Sequence, residues 1–528
     1  MSFFTPETIK AAVRGTWLAK PAEGTVVGPI QGASIDSRSI KPGQLFVAVR
    51  GEKFDGHEYV AKVMAEGCPL VIIDRDDVVI GGGGGDANAY VLKVASTRKA
   101  LLRLASAYRR TLTHTKVIAV CGSNGKTTTV RLLDTVLATR LRGTASQKSH
   151  NNDIGVPLTI LSAKPSDQYL ICEVGTNAPG EIAALAAVVE PDIAAIVSIG
   201  REHLELLGSR AGVAKEEACV ISAIRGGGLL VATADAPELT EYFKLAPATL
   251  TFGKAGSADV RLTAFAHRPL ASGAMGIAWQ VNDRTWFEAP LFGEHNACNA
   301  LAVIAIARRL GIDDDYIAAG LATATGPEMR WQVTRIAAAD GHGGVGSIEI
   351  INDAYNANPE STLAAISTFA AMYPARPGEA GGTRRVIVLG DMLELGSEGA
   401  SLHAEIGAAI AGANAADVLV TVGPLAAEAA ATAGSATAGW PAEIVTIDAM
   451  DERGQAEVIA RLRAGDVVLL KGSRGTRLER VIGPLKAHHH GVGVAVTISG
   501  ASAGPSASPS AGLDVDAAVL AAPVSVVH

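Results

Sequence analysis

Between Lys116 and Arg131 the chain reads KVIAVCGSNGKTTTVR, and this stretch combines the groups that phosphate chemistry needs. Gly122, Ser123, Asn124 and Gly125 form a tight polar turn whose backbone N–H groups can converge on one point. Lys126 adds a mobile cation there, and the hydroxyl of Thr127, followed by Thr128, can hold a magnesium ion against the same phosphates. The spacing, G-x-x-G-K-T-T, is shorter than that of the standard phosphate loop, so the flanking elements must support it. They do: Val117 to Cys121 is a short apolar run of strand type, and Val130, Leu133 and Leu137 recur at helical spacing. A strand, a loop and a helix N-terminus in that order suit a nucleotide. A second candidate is Glu173, which ends the apolar strand pattern YLICEV, a usual place for a magnesium-binding carboxylate.

These elements belong to a chain of 528 residues, long enough for two or three domains. It is 48% hydrophobic and 19% charged, with a net charge of -7, which argues against a general nucleic-acid or membrane-surface binder. Cys68, Cys121, Cys172, Cys219 and Cys298 are widely spaced and lack a zinc pattern, so they read as small buried hydrophobes in a reducing compartment. The N-terminal stretch reads as a helix beginning at Thr5 and Pro6, not as an export signal. Even the apolar run Ile182 to Ile199 is broken by Glu190, Pro191 and Asp192, too soon for a membrane span. The expectation is a soluble, cytoplasmic monomer.

Three blocks of alternating strand and helix patterns are expected to form three α/β domains. Residues 1–112 make a smaller N-terminal domain, with two short strand patterns joined by the Lys41-Pro42-Gly43 turn and a closing helix in TRKALLRLASAYRR. Gly81 to Gly85 reads as a loop insertion. Residues 113–325 carry the phosphate loop and the strands YLICEVG, IAAIVSIG and GLLVATAD, implying a mostly parallel sheet. Residues 326–486 alternate again, through VIVLG, DVLVTVG, EIVTID and DVVLLKG, as a Rossmann-like domain without a dinucleotide fingerprint. Residues 487–528, rich in Ala, Ser, Gly and Pro, read as a disordered, non-catalytic tail whose three histidines form no metal site.

The loop GSNGKTT and the motifs around it resemble the Mur ligase family, ATP-dependent amide-forming enzymes of peptidoglycan precursor synthesis, and the similarity runs to about residue 486. The resemblance implies that Asp36, Ser37 and Arg38, with FVAVRGEKFDGH (Phe46, Asp55, Gly56, His57), hold the UDP part of a nucleotide-sugar peptide. Asn151 and Asn152 are then expected beside its muramoyl-peptide end. It implies that His203 and Lys215, in REHLELLGSRAGVAKEE, are catalytic, Lys215 as a carbamate that helps Thr127 and Glu173 hold magnesium. His295, Asn296 and Asn299 of GEHNACN are expected near the adenine, where Asn296 can also cap a helix. Arg330 is expected to reach the nucleotide, although Met329 stands before it where the family more usually has Gly. INDAYNANPES supplies Asp353, Tyr355, Asn356, Asn358 and Pro359 to the same site, and LGDMLELG and LLKGSRG follow.

Within the family, YNANP with GDMLELG resembles the member that joins D-alanyl-D-alanine to a UDP-N-acetylmuramoyl-tripeptide, using ATP and Mg2+ through an acyl phosphate. Three other readings stay open, the first being another amide ligase of the same family. Folylpolyglutamate synthase shares the central and third blocks but lacks the first 112 residues, and a nucleotide-driven switch needs the loop but neither the DSR block nor YNANP.

Overall fold

The computed structural model describes residues 3–21, 27–51, 54–78, 89–339, 345–375, 383–435 and 443–489. Three sheets follow one another along the chain. The first is five-stranded, with Ala33–Ser34, Leu45–Val47, Leu70–Ile73 and Tyr90–Lys93 parallel and Thr16–Ala19 antiparallel at one edge. The two strands flanking the Lys41-Pro42-Gly43 turn therefore pair in parallel and not as a hairpin. Pro6–Val13 is the opening helix, with Thr5 accepting from the Thr8 N–H as its cap. Thr97–Arg109 closes the unit, capped by Ser96, and buries Ala100, Leu101, Leu104, Ala105 and Tyr108 on one face.

The second sheet has nine strands, and six of its eight pairings are parallel. Lys116–Cys121 lies between Tyr169–Glu173 and Ile193–Ile196, so successive connections leave it to opposite sides. That makes the end of this strand a topological switch point, where α/β sheets open a crevice for ligands. Both faces of the strand are covered, which explains its unbroken apolar run. Val260–Pro269, Met275–Val281 and Thr285–Ala289 extend the sheet with antiparallel pairs, and the first of them, largely half-exposed, is not revealed by a continuous apolar run. The third sheet has six strands, parallel except for the Gln332–Ala339 and Val345–Asn352 pair at one edge. The Gly81–Gly85 insertion and the tail from His490 onward lie outside the described residues, while the last helix, Ile482–His489, includes the first two tail histidines.

Arg109 joins the first unit to the second. Its side chain is 1% exposed, and it donates to the carbonyls of Val189 and Glu190, both at 2.7 Å, where a central-domain helix ends. Arg109→Leu leaves these acceptors buried without a donor, so urea unfolding should show a loss of about 3 kcal/mol. A loss below about 1 kcal/mol would mean that water replaces the guanidinium.

Candidate active site

The strand Lys116–Cys121 delivers its last residues into a turn in which Gly122 (φ 118°) passes so close to Ser198 that a Cβ would lie 2.8 Å from the Ser198 nitrogen. Ser198 then fixes the loop through three contacts: its carbonyl accepts from the Ser123 N–H (3.0 Å), and its hydroxyl accepts from the Asn124 N–H (2.7 Å) and donates to the Asn124 carbonyl (2.9 Å). Gly125 (φ 84°) precedes the helix Lys126–Leu137, and a Cβ there would lie 2.1 Å from Asn299 Oδ1. Asn299 is held in turn by donating to Asn296 Oδ1 (3.1 Å), and Asn296 donates to the Phe292 carbonyl (2.8 Å). Asn296 thus braces the loop before its helix and does not cap it.

A cavity of about 1470 Å3 opens over this loop between the second and third sheets. Ser123, Asn124, Gly125, Lys126 and Thr128 form one wall, with Asn151, Asn152, Glu173 and His203 beside them. His295, Asn296 and Asn299 line another part, and Arg330, Asp353, Tyr355, Asn356 and Asn358 face them from the third block. Two bonds tie the opposing sides together near the loop: Asn358 donates to Asn124 Oδ1 at 3.0 Å, and Arg330 donates to Thr127 Oγ1 at 3.4 Å. Asn358 also caps the helix Pro359–Met372 reciprocally with Ser361. The Arg330 guanidinium lies 4.6 Å over the Tyr355 ring. The backbone takes positive φ at Met329 (57°) and Trp331 (56°), strain that a glycine before Arg330 would lessen.

Lys126 donates to the carbonyls of Gly122 and Ser123. Burial opposes its charge, but Glu202, Glu217 and Glu173 hold its pKa above the ordinary amine value. Burial in turn pushes the Glu202 and Glu217 carboxyls up to about 7, against the pull of Lys126. Each of these carboxyls takes up a proton on folding between its ordinary value and about 7, so their contribution to stability falls as pH rises from about 4.5 to about 7. Glu202→Gln removes one such group, and its melting temperature should gain on the parent's as pH is raised across that window. A constant difference would mean that Glu202 keeps its charge throughout.

Glu173 is buried, raised above the usual carboxylate range by that burial, and accepts from Asn151 at 3.0 Å through Oε1. Its Oε2 has no hydrogen-bond partner among the described residues. An orphaned carboxylate oxygen in the wall beside a phosphate loop fits a hard cation that takes oxygen ligands. Thr127 is set just behind the wall, with its hydroxyl 3.1 Å from that of Ser149.

Other expected residues fall elsewhere. Lys215 is exposed on the helix Arg210–Ala218 and does not line the cavity. Glu216 and Glu217 are the buried residues of this run: Glu216 accepts from the Gly180 and Ile182 N–H groups, and Glu217 Oε2 accepts from the Gly122 N–H at 2.8 Å while its Oε1 is left without a partner among the described residues. Residues two apart on a helix point about 200° apart, so burying Glu217 turns Lys215 outward. His203 (φ 50°) reaches the cavity and pairs with Glu394 across the two blocks. Asn152 lines the cavity too, and its Oδ1 accepts from the Ile154 (3.2 Å) and Gly155 (2.9 Å) N–H groups where the following helix begins. In the first unit Phe46 is fully buried, and His57 is buried against Asp55 (2.6 Å) and the Asp74 N–H (3.2 Å). Gly56 is needed because a Cβ would lie 2.9 Å from the Val49 nitrogen. Phe46, Asp55, Gly56 and His57 therefore shape this unit, while Arg38, its side chain 85% exposed, presents its guanidinium at the surface, paired with Asp36 at 2.8 Å. Neither Ser37, which is buried, nor Arg38 lines the large cavity. Cys68, Cys121 and Cys172 are buried, as expected, but Cys219 and Cys298 are partly exposed, and Cys298 lines the cavity.

Arg201, Glu202 and Glu217 lie in REHLELLGSRAGVAKEE and Lys471 in LLKGSRG, but residue type and spacing assign none of them a role. Lys471, buried at the end of a third-sheet strand, pairs with Asp353 at 2.9 Å. Arg201 bridges Glu360 (2.7 Å) and Glu405 (2.7 Å), a further tie between the blocks. A signal did exist for Glu217, since Val213, Ala214, Glu217 and Ala218 fall at the spacing of one apolar helix face.

Comparison with known proteins agrees with this architecture. Three family models match in order: the Mur ligase family, catalytic domain (residues 29–109), the Mur ligase middle domain (120–307) and the Mur ligase, glutamate ligase domain (330–474). The UDP-N-acetylmuramoyl-tripeptide:D-alanyl-D-alanine ligase of Bacillus subtilis is 33% identical over 480 residues, covering 90% of this chain and 97% of the relative. The Mycobacterium tuberculosis enzyme of the same name is 32% identical, covering 91% and 96%. Among solved structures, MurF from Acinetobacter baumannii superposes with a TM-score of 0.74 at 28% identity, covering 92% of this chain and 98% of that one. MurF from Thermotoga maritima in complex with ADP gives 0.69 at 25% identity, covering 88% and 99%.

Proposed function

The chain belongs to the Mur ligase family, and from that premise we propose that it joins D-alanyl-D-alanine to UDP-N-acetylmuramoyl-tripeptide at the expense of ATP. The observation that carries this reading is the meeting of Asn124 in the phosphate loop with Asn358 of the YNANP segment across one cavity. A nucleotide switch needs the loop alone, whereas a ligase must bring three reactants to one point. A carboxylate is a poor electrophile with a poor leaving group, so it must be activated first. The tripeptide carboxylate attacks the γ-phosphate, giving an acyl phosphate and ADP; the dipeptide amine attacks the activated carbonyl, and phosphate leaves.

Lys126 and the first N–H groups of its helix stabilise the phosphoryl group in flight, since the N–H groups of Gly122, Ser123 and Asn124, expected to converge on it, donate to Glu217 and Ser198 instead. Arg330, stacked on Tyr355, adds a second cation from the opposite wall. His295, Asn296 and Asn299 frame the adenine end, and Asn151 and Asn152 the muramoyl-peptide end. Glu173, with Thr127 behind it, are the residues to hold Mg2+, which when bound screens charge between the anionic reactants. Arg38, on a surface apart from the cavity, and the backbone after it are the candidates for the UDP pyrophosphate, with the buried Ser37 beside them. The ties from Asn358, Arg330 and Arg201 make closure of the two blocks the step that completes the site. Among the described residues no helix is long and apolar enough to cross a membrane, and we place the reaction in the cytoplasm.

The test is a mass spectrum of the product formed from a mixture of UDP-muramoyl peptides, single amino acids and D-alanyl-D-alanine. The reading predicts one product heavier than a UDP-tripeptide by the dipeptide less water. Addition of a single amino acid, or ATP turnover without an amine, would refute it.

A further inference from the structure

The helix Arg210–Ala218 carries Lys215, Glu216 and Glu217 past the root of the phosphate loop, and the three side chains have different fates. Lys215 is exposed. A lysine carbamate forms when a neutral amine adds to carbon dioxide and sheds a proton, and it persists where an enclosed site with a cation favours the resulting anion. An exposed Lys215 has no such enclosure. Glu216 is buried, but both of its oxygens are engaged: Oε2 accepts from the Gly180 N–H (2.8 Å) and Oε1 from the Ile182 N–H (2.9 Å), where the helix Glu181–Val189 begins. That carboxylate is taken up by a helix N-terminus. Glu217 is the one turned to the loop. It is 0% exposed, its Oε2 accepts from the N–H of Gly122, and its Oε1 accepts from no described residue. Gly122 is also the residue that the chain holds most tightly against Ser198, so Glu217 grips the loop where it has least room to shift. The charge of Glu217 reaches Lys126 as well, and with Glu202 and Glu173 it favours the ammonium form against burial. A carboxylate with an unused oxygen is therefore already built into the base of the loop.

We propose that Glu217 is a positioning residue that supplies, as an encoded side chain, the fixed anion for which the family resemblance expects a lysine carbamate, so that this enzyme works without carbon dioxide. The inference rests on the proposed ligase reading, because phosphoryl transfer is what requires Lys126 and the loop to be set in place. A glutamate carboxylate ends much nearer its own backbone than a lysine carbamate does, so Glu217 acts on the Gly122 N–H and on Lys126 from behind the loop. It touches no reactant. A carbamate is a reversible adduct whose occupancy follows the dissolved carbon dioxide, whereas the Glu217 carboxylate is present in every molecule.

The test uses the full-length enzyme at a pH above the value of about 7 to which burial raises the Glu217 carboxyl. Ligation is followed in buffer stripped of carbon dioxide and again after bicarbonate is restored, and the two rates should be the same. In 13C-bicarbonate without substrates, the 13C NMR spectra of the wild type and of Lys215→Ala should show the same carbamate region. Glu217→Gln keeps an acceptor for Gly122 and removes the charge. It should lower kcat by about tenfold, with KM for each substrate unchanged, no loss of melting temperature and no recovery in bicarbonate. A wild-type rate that falls in stripped buffer and returns with bicarbonate, or a carbamate signal that Lys215→Ala removes, would overturn the inference while ligation itself upheld the reaction. A Glu217→Gln protein that keeps the parent's kcat, or loses it together with its melting temperature, would also overturn it. A wild type that ligates no D-alanyl-D-alanine in either buffer would overturn the reaction, and the role of Glu217 with it.

Discussion

Replacing Lys126 by methionine is expected to lower ligation by a hundred- to a thousandfold or more, the scale on which one positioned stabiliser of transition-state charge acts. Methionine keeps most of the aliphatic stem and removes only the ammonium. The ammonium now rests on the carbonyls of Gly122 and Ser123 at the loop, where an arriving phosphoryl oxygen offers it a better acceptor. The loop's shape does not depend on it, since Ser198 holds the turn and Asn299 packs at Gly125. Glu202 and Glu217 lose their counter-charge in the variant, but burial already holds both near 7, so they can take protons instead of unfolding the site. The fold should therefore survive, as circular dichroism would show. Turnover within tenfold of the parent by a folded Lys126→Met protein would remove the loop from the mechanism.

The second large effect is expected at Glu217 and not at Lys215. Glu217→Leu deprives the Gly122 N–H of its buried acceptor at the first residue of the phosphate loop and removes one of the carboxyls around Lys126. An unpaired buried donor costs about 1–3 kcal/mol, and if the loop shifts to recover it, the loss appears as a fall in turnover of about tenfold to a hundredfold or more. Glu217→Gln keeps an acceptor without the charge and should fall between the parent and the leucine variant. Lys215→Ala touches only an exposed side chain, so activity within about twofold is expected. Loss of activity by orders of magnitude in Lys215→Ala, with the Glu217 variants unaffected, would reinstate the carbamate expected from the family resemblance.

Much of this was legible because the informative residues are local in sequence. The phosphate loop, its strand and its helix fall within residues 116–137, and the pattern of each is read from neighbours one to four positions away. Strands buried on both faces, such as Tyr169–Glu173 and Asp466–Lys471, announce themselves as unbroken apolar runs. What was not legible depends on distant pairs. The exposure of Lys215 and the burial of Glu217 follow from how one short helix rolls against the loop, and a motif containing Lys, Glu and Glu in succession does not fix that roll. Phe46 and His57 lie in a motif tied to substrate by resemblance, yet their side chains point into the core of the first unit, a distinction that residue type does not carry. Arg201, Glu360 and Glu405 meet from positions about 159 and 204 residues apart, so their tie has no sequence signature.

The central claim is that a peptide carboxylate attacks the γ-phosphate in the cavity over Lys126. The most direct measurement supplies UDP-N-acetylmuramoyl-tripeptide labelled with 18O in the terminal carboxylate that is joined, together with ATP and D-alanyl-D-alanine, and weighs the inorganic phosphate released. Transfer through an acyl phosphate carries one labelled oxygen from each carboxylate into that phosphate. Unlabelled phosphate alongside ligated product would contradict the account.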